Sequence, residues 1–429
     1  MDTIFAVSSG ALPAAIAVLR LSGARAFAAV EALAGDLPPP RQARVRPLRD
    51  PADGELLDRA IILLFPGPRS ATGEDLAELH LHGGRAVVRV VEAALARIEG
   101  LRPAEAGEFT RRALSNGRLD LSEAEGLGDL LAAETEAQRR AAIRSAEGAV
   151  RREVAAWENQ LLVVAAHAEA LLDHSDEDDV AESADGLPDL RLRAEALAGQ
   201  IEAIAARPPV ERLRDGLRVV LAGPPNAGKS TLLNALVERD AAIVSPIAGT
   251  TRDRIEAPVV RDGIAYIFTD TAGLNVAPGD TIEEIGIARA KEALDASDIL
   301  LWLGDTPPPE HPSVLWVHAR IDEPDRVGGA DANVSVSAVT GEGIDALWHA
   351  LHGRARTLLP PPDLVALNAR QRGLCLEAAA ALRRAATERD LLLFAEELRS
   401  ARNAFDAITG QASVESMLDA LFGRFCIGK

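Results

Sequence analysis

Leu217-Arg218-Val219-Val220-Leu221-Ala222-Gly223-Pro224-Pro225-Asn226-Ala227-Gly228-Lys229-Ser230 decides the fold of the middle of this 429-residue chain. Residues 217–222 read as a buried strand and 231–237 as a helix. Between them stands Gly-x4-Gly-Lys-Ser, the phosphate-binding spacing in the strand–loop–helix setting it requires. Glycines let backbone N–H groups turn inward on phosphates, and the helix N-terminus adds positive potential. On this reading Asn226, Ala227, Gly228, Lys229, Ser230 and Thr231 surround the phosphates. Lys229 reaches the β- and γ-phosphates, and the Ser230 hydroxyl binds Mg²⁺.

Around this loop, residues 216–356 alternate strands with helical patterns. The apolar runs 266–269, 299–303, 314–317 and 334–336 predict further strands of a mainly parallel sheet. Two more elements follow in the order that a GTPase needs. Gly249-Thr250-Thr251-Arg252-Asp253 supplies a threonine that senses the γ-phosphate and completes the Mg²⁺ shell, assigned to Thr251. Asp270-Thr271-Ala272-Gly273 supplies a carboxylate behind Mg²⁺ and a glycine amide for the γ-phosphate.

The base-recognition element departs from the usual Asn-Lys-x-Asp and reads Ala319-Arg320-Ile321-Asp322. Asp322 still accepts from guanine N1 and N2, the Asn amide is lost at Ala319, and Arg320 replaces the stem that packs on the base. Ser337-Ala338-Val339 provides a backbone donor for guanine O6. Guanine is favoured over adenine, because a paired acceptor rejects adenine through unmet donors. The position that carries a water-orienting Gln in Ras-type proteins is Leu274, which cannot hydrogen-bond a water. Arg252 is the one candidate for an arginine finger in cis.

Length and composition frame this domain. A chain of 429 residues predicts two to four domains, and 48% hydrophobic with 26% charged residues is a globular balance. The net charge of −19 argues against gripping nucleic acid by bulk electrostatics, so RNA would need a local patch or a partner. No apolar run approaches ~18 residues and no leader pattern opens the chain, which predicts a cytoplasmic protein with no membrane association. Cys375 and Cys426 are too few for a disulfide framework. Of the 46 basic residues only Lys229, Lys291 and Lys429 are lysine, which favours roles for Lys229 and Lys429 as compact point charges.

Outward from the loop, 1–120 mixes strands (16–21, 60–65, 76–82) with a helix at 86–98. Residues 121–215 are helical and interrupted by the acidic stretch 173–179. After Pro360-Pro361-Pro362 the chain is helical again over 368–407, with a short helix beyond. The expected class is multidomain α/β plus all-α: an N-terminal α+β domain (1–120), a discontinuous helical domain (121–215 and 357–429) and an inserted P-loop domain (216–356). His80-Leu81-His82 has metal-like alternation without a third ligand, and reads as a strand face followed by a turn.

Several segments then carry a family resemblance, in order and across all regions. They are Thr72-Gly73-Glu74-Asp75, His82-Gly83-Gly84, Ala106-Gly107-Glu108-Phe109-Thr110-Arg111-Arg112-Ala113, Asn116-Gly117-Arg118-Leu119-Asp120-Leu121 and Phe425-Cys426-Ile427-Gly428-Lys429. Together with the phosphate loop they resemble the tRNA modification GTPase family called MnmE or TrmE. The resemblance implies that 1–120 binds folate and dimerises. It implies a homodimer that acts with an FAD-containing MnmG-type partner, in a heterotetramer or larger complex. That complex places an aminomethyl or carboxymethylaminomethyl group on C5 of the tRNA wobble uridine. The one-carbon unit comes from 5-formyl- or 5,10-methylene-tetrahydrofolate.

The resemblance also implies residue roles. Ser245, Pro246, Ile247, Ala248, Gly249, Thr250 and Thr251 line the nucleotide. Potassium takes the arginine-finger position on Asn226, Ser245, Ile247 and Thr250. Glu283 orients the attacking water, with Glu284 as the neighbouring alternative. Arg20, Glu78, Arg118 and Lys429 contact folate, and Cys426 stands beside the one-carbon site. The chain departs from the family at Ala11-Leu12-Pro13-Ala14-Ala15, where glycines are usual, and at Ala71, where an aromatic is usual. Rival readings are an RNA-binding ribosome-assembly GTPase that makes no covalent product, and a nucleotide-gated folate-binding scaffold.

Overall fold

The structure is a computed structural model that describes residues 2–174, 186–238, 256–271, 292–324, 326, 331–410, 422–423 and 428. Two compact units arise from interleaved segments. The first comprises Met1–Gly128, Ser145–Glu158 and Arg402–Lys429; the second comprises Asp129–Arg144 and Asn159–Ala401. The class is multidomain α/β plus all-α, as the sequence predicts.

In the first unit β1 (Thr3–Val7), β2 (Ile16–Ser22), α1 (Ala26–Ala34), β3 (Arg44–Arg49), β4 (Leu56–Phe65), β5 (Leu76–His82), α2 (Arg85–Ala96), β6 (Leu101–Pro103) and α3 (Glu108–Ser115) follow one another. The strands order as β3-β4-β5-β2-β1-β6, antiparallel except for the β1–β6 pair. Period-2 alternation assigns the faces. Ala17, Leu19 and Leu21 of β2 and Ala77, Leu79 and Leu81 of β5 join one core with Val30 and Leu33 of α1 and Val88 and Val91 of α2. The alternate positions, Arg20 on β2 and Glu78 on β5, therefore share the opposite face, directly across from one another in register. On that face Ile4 and Ala6 of β1 pack with Phe109 of α3.

Helices α4 (Leu121–Ala132), α5 (Glu136–Ala146), α6 (Ala149–His174), α7 (Leu187–Ala205) and α8 (Glu211–Arg214) come next. Then β7 (Leu217–Ala222), α9 (Lys229–Glu238), β8 (Glu256–Arg261), β9 (Ile264–Asp270), β10 (Ile299–Trp302), β11 (Val314–Ala319), β12 (Val334–Val336) and α10 (Ile344–Leu358) form the nucleotide-type layer. Its sheet orders as β12-β11-β10-β7-β9-β8, parallel apart from the β8–β9 hairpin. Trp348 of α10 stacks edge-on against Tyr266 and Phe268 of β9, with ring centroids 5.5 and 5.7 Å apart, and fixes that helix on the sheet.

The helix expected over 368–407 is two helices, α11 (Ala369–Thr387) and α12 (Leu391–Thr409). The break has a local cause. Glu388 accepts from the backbone N–H groups of Arg389 and Asp390, and Asp390 caps the next helix by accepting from Leu392 N–H at 2.9 Å and Leu393 N–H at 3.2 Å. At the front of α11, Asn368 and Gln371 form a reciprocal capping box. In the second unit α7 and α11 run side by side, tied by Arg383 to Glu195 and Glu202.

Candidate functional site

Strand β7 lies between β10 and β9, all parallel, so its carboxyl end opens where the connections diverge to either side, the usual ligand position in such sheets. A cleft of about 420 Å³ stands there. One end is lined by residues 226–232 of the phosphate loop and α9, the other by Ala319, Arg320, Asp322, Glu323, Val336, Ala338 and Val339. Nucleotide-sized ligands bind in clefts of this scale.

Lys229 is only 6% exposed. A buried ammonium needs acceptors, and its Nζ donates to the carbonyls of Gly223 at 3.0 Å and Pro224 at 2.9 Å. The loop thus holds its own cation and leaves a third donor for a phosphate oxygen. Next to it the Ser230 hydroxyl donates to Asp270 Oδ2. A hydroxyl and a carboxylate held together at a helix N-terminus are a hard oxygen set that suits Mg²⁺. Thr271 is tied back to β7 by its hydroxyl on Leu221 O at 2.9 Å. That bond positions the end of β9 beside the phosphate loop.

At the base end Asp322 lines the cleft, and no hydrogen bond or ion pair among the described residues engages its carboxylate. The Ser337 N–H is committed to Glu342 O at 2.9 Å, while its hydroxyl accepts from Thr340 N–H. Of the three residues expected to offer a donor for O6, Ser337 therefore shapes the loop, and Ala338 and Val339 line the cleft. Arg320, expected to replace a packing stem, does more. Its Nε and Nη2 grip Glu323 at 2.6 Å each, and Nη1 donates to Asn226 O at 2.8 Å. Sequence reading missed Glu323, because the helical i,i+3 rule does not apply in a turn where Arg320 has φ of 67°. It also missed Arg326, which donates to Ala319 O at 3.1 Å and pairs with Asp305.

The remaining expectations divide. Asn226, Ala227, Gly228, Lys229, Ser230, Thr231, Asp270 and Thr271 meet at the phosphate end. Ser245, Pro246, Ile247, Ala248, Gly249, Thr250, Thr251, Ala272, Gly273 and Glu283 lie outside the described residues, as do Cys426 and Lys429. In the first unit Arg20 and Glu78 are joined by two hydrogen bonds of 3.1 and 2.7 Å, with the Arg20 guanidinium over the Phe109 ring. The stem of Arg118 lies against the turn at Gly73. A cation and a carboxylate on one sheet face suit a ligand that carries both an anionic tail and ring N–H donors. His80 leans on Glu78 and His82 on Asp58. No group of three potential ligands for a metal occurs among the described residues.

The same face explains the motif residues upstream. Arg112, 8% exposed, pairs with Glu74 at 3.0 Å and Glu108 at 2.9 Å, and Ser22 donates to Glu74 at 2.7 Å. Glu74 of the Thr-Gly-Glu-Asp segment and Glu108 of the Gly-Glu-Phe-Thr segment are thus two partners of one buried arginine.

The family described as the MnmE helical domain matches residues 121–426, and the one described as the GTP-binding protein TrmE N-terminus matches residues 3–118. The chain belongs to the MnmE (TrmE) family of GTPases. It is 55% identical over 430 residues to the tRNA modification GTPase MnmE of Erythrobacter litoralis, covering 100% of both chains. To the protein of the same name from Rhizorhabdus wittichii it is 56% identical, covering 100% of this chain and 97% of that one. Among solved structures, the G domain of the T. maritima FeoB iron transporter is 26% identical over 32% of this chain and 98% of that chain, with a TM-score of 0.25.

Proposed function

We propose that this chain hydrolyses GTP and, with an FAD-containing MnmG-type partner, adds an aminomethyl or carboxymethylaminomethyl group to C5 of the wobble uridine of certain tRNAs. The observation that carries this is a single cleft in an MnmE-family chain. It brings Lys229 and the Ser230–Asp270 pair to one end and, to the other, Asp322, whose carboxylate has no partner among the described residues. Lys229 and the loop amides hold the β- and γ-phosphates, and Asp322 with Ala338 N–H selects guanine. Mg²⁺ on Ser230 and Thr251 would draw charge from the γ-phosphoryl oxygens. Phosphoryl transfer depends on positioning and charge stabilisation more than on covalent chemistry. Asn226, Ser245, Ile247 and Thr250 would hold potassium where other GTPases use an arginine finger, in a pair of facing G domains. Glu283 would orient the water that Leu274 cannot hold.

The one-carbon unit is read as coming from a tetrahydrofolate on Arg20, Glu78, Arg118 and Lys429, with Cys426 beside it. In this reading residues 1–120 bind folate and form the homodimer, 216–356 are the GTPase domain, and 121–215 with 357–429 are the helical domain. A net charge of −19 leaves no bulk attraction for tRNA, so the partner or a local patch holds it. No helix among the described residues is long and apolar enough to cross a membrane, and we place the protein in the cytoplasm.

The decisive experiment measures GTP turnover in potassium and in sodium, with Glu283→Ala alongside. Turnover that needs potassium and is lost in the variant supports the mechanism, and turnover indifferent to both overturns it. Nucleoside analysis of a deletion strain tests the tRNA role separately: an unchanged wobble uridine overturns it.

A further inference from the structure

We propose that the Arg320–Glu323 pair is the positioning clamp of the base loop, standing in for the Asn that Ala319 has replaced, and that the site reads guanine without contacting N7. The inference rests on the guanine-nucleotide reading above.

Three observations converge. First, Ala319 brings no polar side chain, and its carbonyl is already taken by Arg326, itself anchored on Asp305. Second, Arg320 makes the contacts that a lysine could not make together. A planar fork meets both oxygens of Glu323 while a further nitrogen reaches Asn226 O across the cleft, and its stem lies over Gly228, whose added Cβ would stand 3.4 Å from Cγ. Third, Arg320 adopts φ of 67°, a left-handed conformation that an arginine holds only where its surroundings fix it. Glu323 supplies that fixing, because it orients the guanidinium so that the base loop is tied to the phosphate loop.

The consequence concerns which edge of the base is read. Among the described residues lining the base end, Arg320 is the only side chain with hydrogen-bond donors; three of its five N–H groups are taken, and the bonds to Glu323 and Asn226 O fix the plane of the guanidinium that carries the other two. Asp322 meets N1 and N2, and Ala338 N–H meets O6. With Ala319 in the place of Asn, that position has no side-chain amide to donate to N7, and the guanidinium is held by Glu323 and Asn226 O as a clamp between the loops instead of a reader of the base. Adenine is rejected because its N1 would place one acceptor against another.

The test is equilibrium binding by the full-length protein of GTP, ATP and 7-deaza-GTP, which lacks only the N7 acceptor. GTP and 7-deaza-GTP should bind within about twofold of each other, since no hydrogen bond is lost. Glu323→Ala should weaken GTP by about tenfold. Adding Ala319→Asn to that variant should restore GTP binding and create a preference for GTP over 7-deaza-GTP, which general loop damage would not do. A 7-deaza penalty of about tenfold in the wild type, or Glu323→Ala without effect, overturns the proposal while guanine selectivity stands. ATP binding as tightly as GTP overturns the guanine reading itself, and the clamp with it.

Discussion

The carbonyl of Asn226 accepts from Arg320 Nη1 at 2.8 Å, and both residues hold left-handed backbone, with φ of 59° and 67°. Neither is glycine, so each conformation costs on the order of 1–3 kcal/mol. One hydrogen bond thus joins two strained positions on opposite sides of the cleft. The phosphate loop and the base loop hold each other in shape, and a change at one is felt at the other.

Arg320→Ala tests that coupling. Asn226 is also the proposed potassium ligand, so releasing its backbone should raise the potassium concentration for half-maximal GTP turnover. A several-fold rise is expected, the equivalent of losing a charge-assisted bond of about 1.5–3 kcal/mol shared between affinity and ion binding. A potassium titration that superimposes on the wild type would show that the two loops are independent.

Asp270→Asn addresses the phosphate end. The carboxylate that now accepts from Ser230 would become an amide with half the acceptor capacity and no charge. GTP binding in the presence of Mg²⁺ should weaken by about tenfold or more. Binding in excess chelator should match the wild type, because the phosphate loop itself is unaltered. Equal losses in both conditions would mean that Asp270 supports the loop and not the ion.

Much of this domain was legible. Strands 217–222 and 334–336 stand where periodicity puts them, since buried parallel strands leave short apolar runs. Strand β8 was missed although Asp262-Gly263, with φ of 51° and 77°, is the turn dipeptide of a tight hairpin. Its exposed Glu256 and its Pro258 hid the alternation of an edge strand. In the first unit β1 escaped because four of its five residues are buried, on both faces, leaving no period-2 signal. The Arg320–Glu323–Asn226 clamp joins residues 94 positions apart and depends on a backbone φ, neither of which composition or spacing encodes. The role of Glu74 was hidden for the same reason, since it reaches Arg112 from 38 positions away, whereas Glu108 and Arg112 stand i,i+4 on one helix.

Arg112→Met should be among the most damaging substitutions in the first unit. It leaves Glu74 mostly buried without a cation, while Glu108 keeps Arg102, at a cost of about 3–5 kcal/mol. Hydrogen exchange of the β1 and β2 amides reports this locally, which matters in a chain of two units whose unfolding need not be two-state. Protection equal to the wild type would mean that the sheet tolerates the loss.

Glu108 gives that network a pH signature. Burial alone would raise its pKa, but hydrogen bonds from Arg102, the Glu105 N–H and Arg112 outweigh it and hold the carboxyl at about 2, against an ordinary 4.5. A carboxyl depressed by folding stabilises above its unfolded value, and the contribution fades as pH falls toward the folded value. The stability lost in Glu108→Gln should therefore be constant above about pH 5, at roughly 1–2 kcal/mol after solvent screening, and shrink between pH 4.5 and 2. A difference that persists unchanged at pH 3 would assign the loss to packing.

Gly428 tests the link between the closing Cys-Ile-Gly-Lys segment and the proposed folate site. Its φ is 95°, and a Cβ there would stand 2.1 Å from Val7 O of β1, so only glycine brings the backbone this close. Val7 pairs with Leu19 and Ala6 with Arg20, so this approach sets Gly428 beside the strand pair that carries a proposed folate ligand. Gly428→Ala should force the backbone at 428 away from β1 and disrupt with it the proposed approach of the neighbouring Lys429 to folate. Binding of 5-formyl-tetrahydrofolate should weaken by about tenfold or more, the loss of a charge-assisted contact. GTP affinity, built on the second unit, should hold. Lys429→Ala should reproduce the folate defect without disturbing β1 protection. If Gly428→Ala binds folate like the wild type while Lys429→Ala does not, the close approach serves folding of the first unit and the lysine reaches its ligand without it.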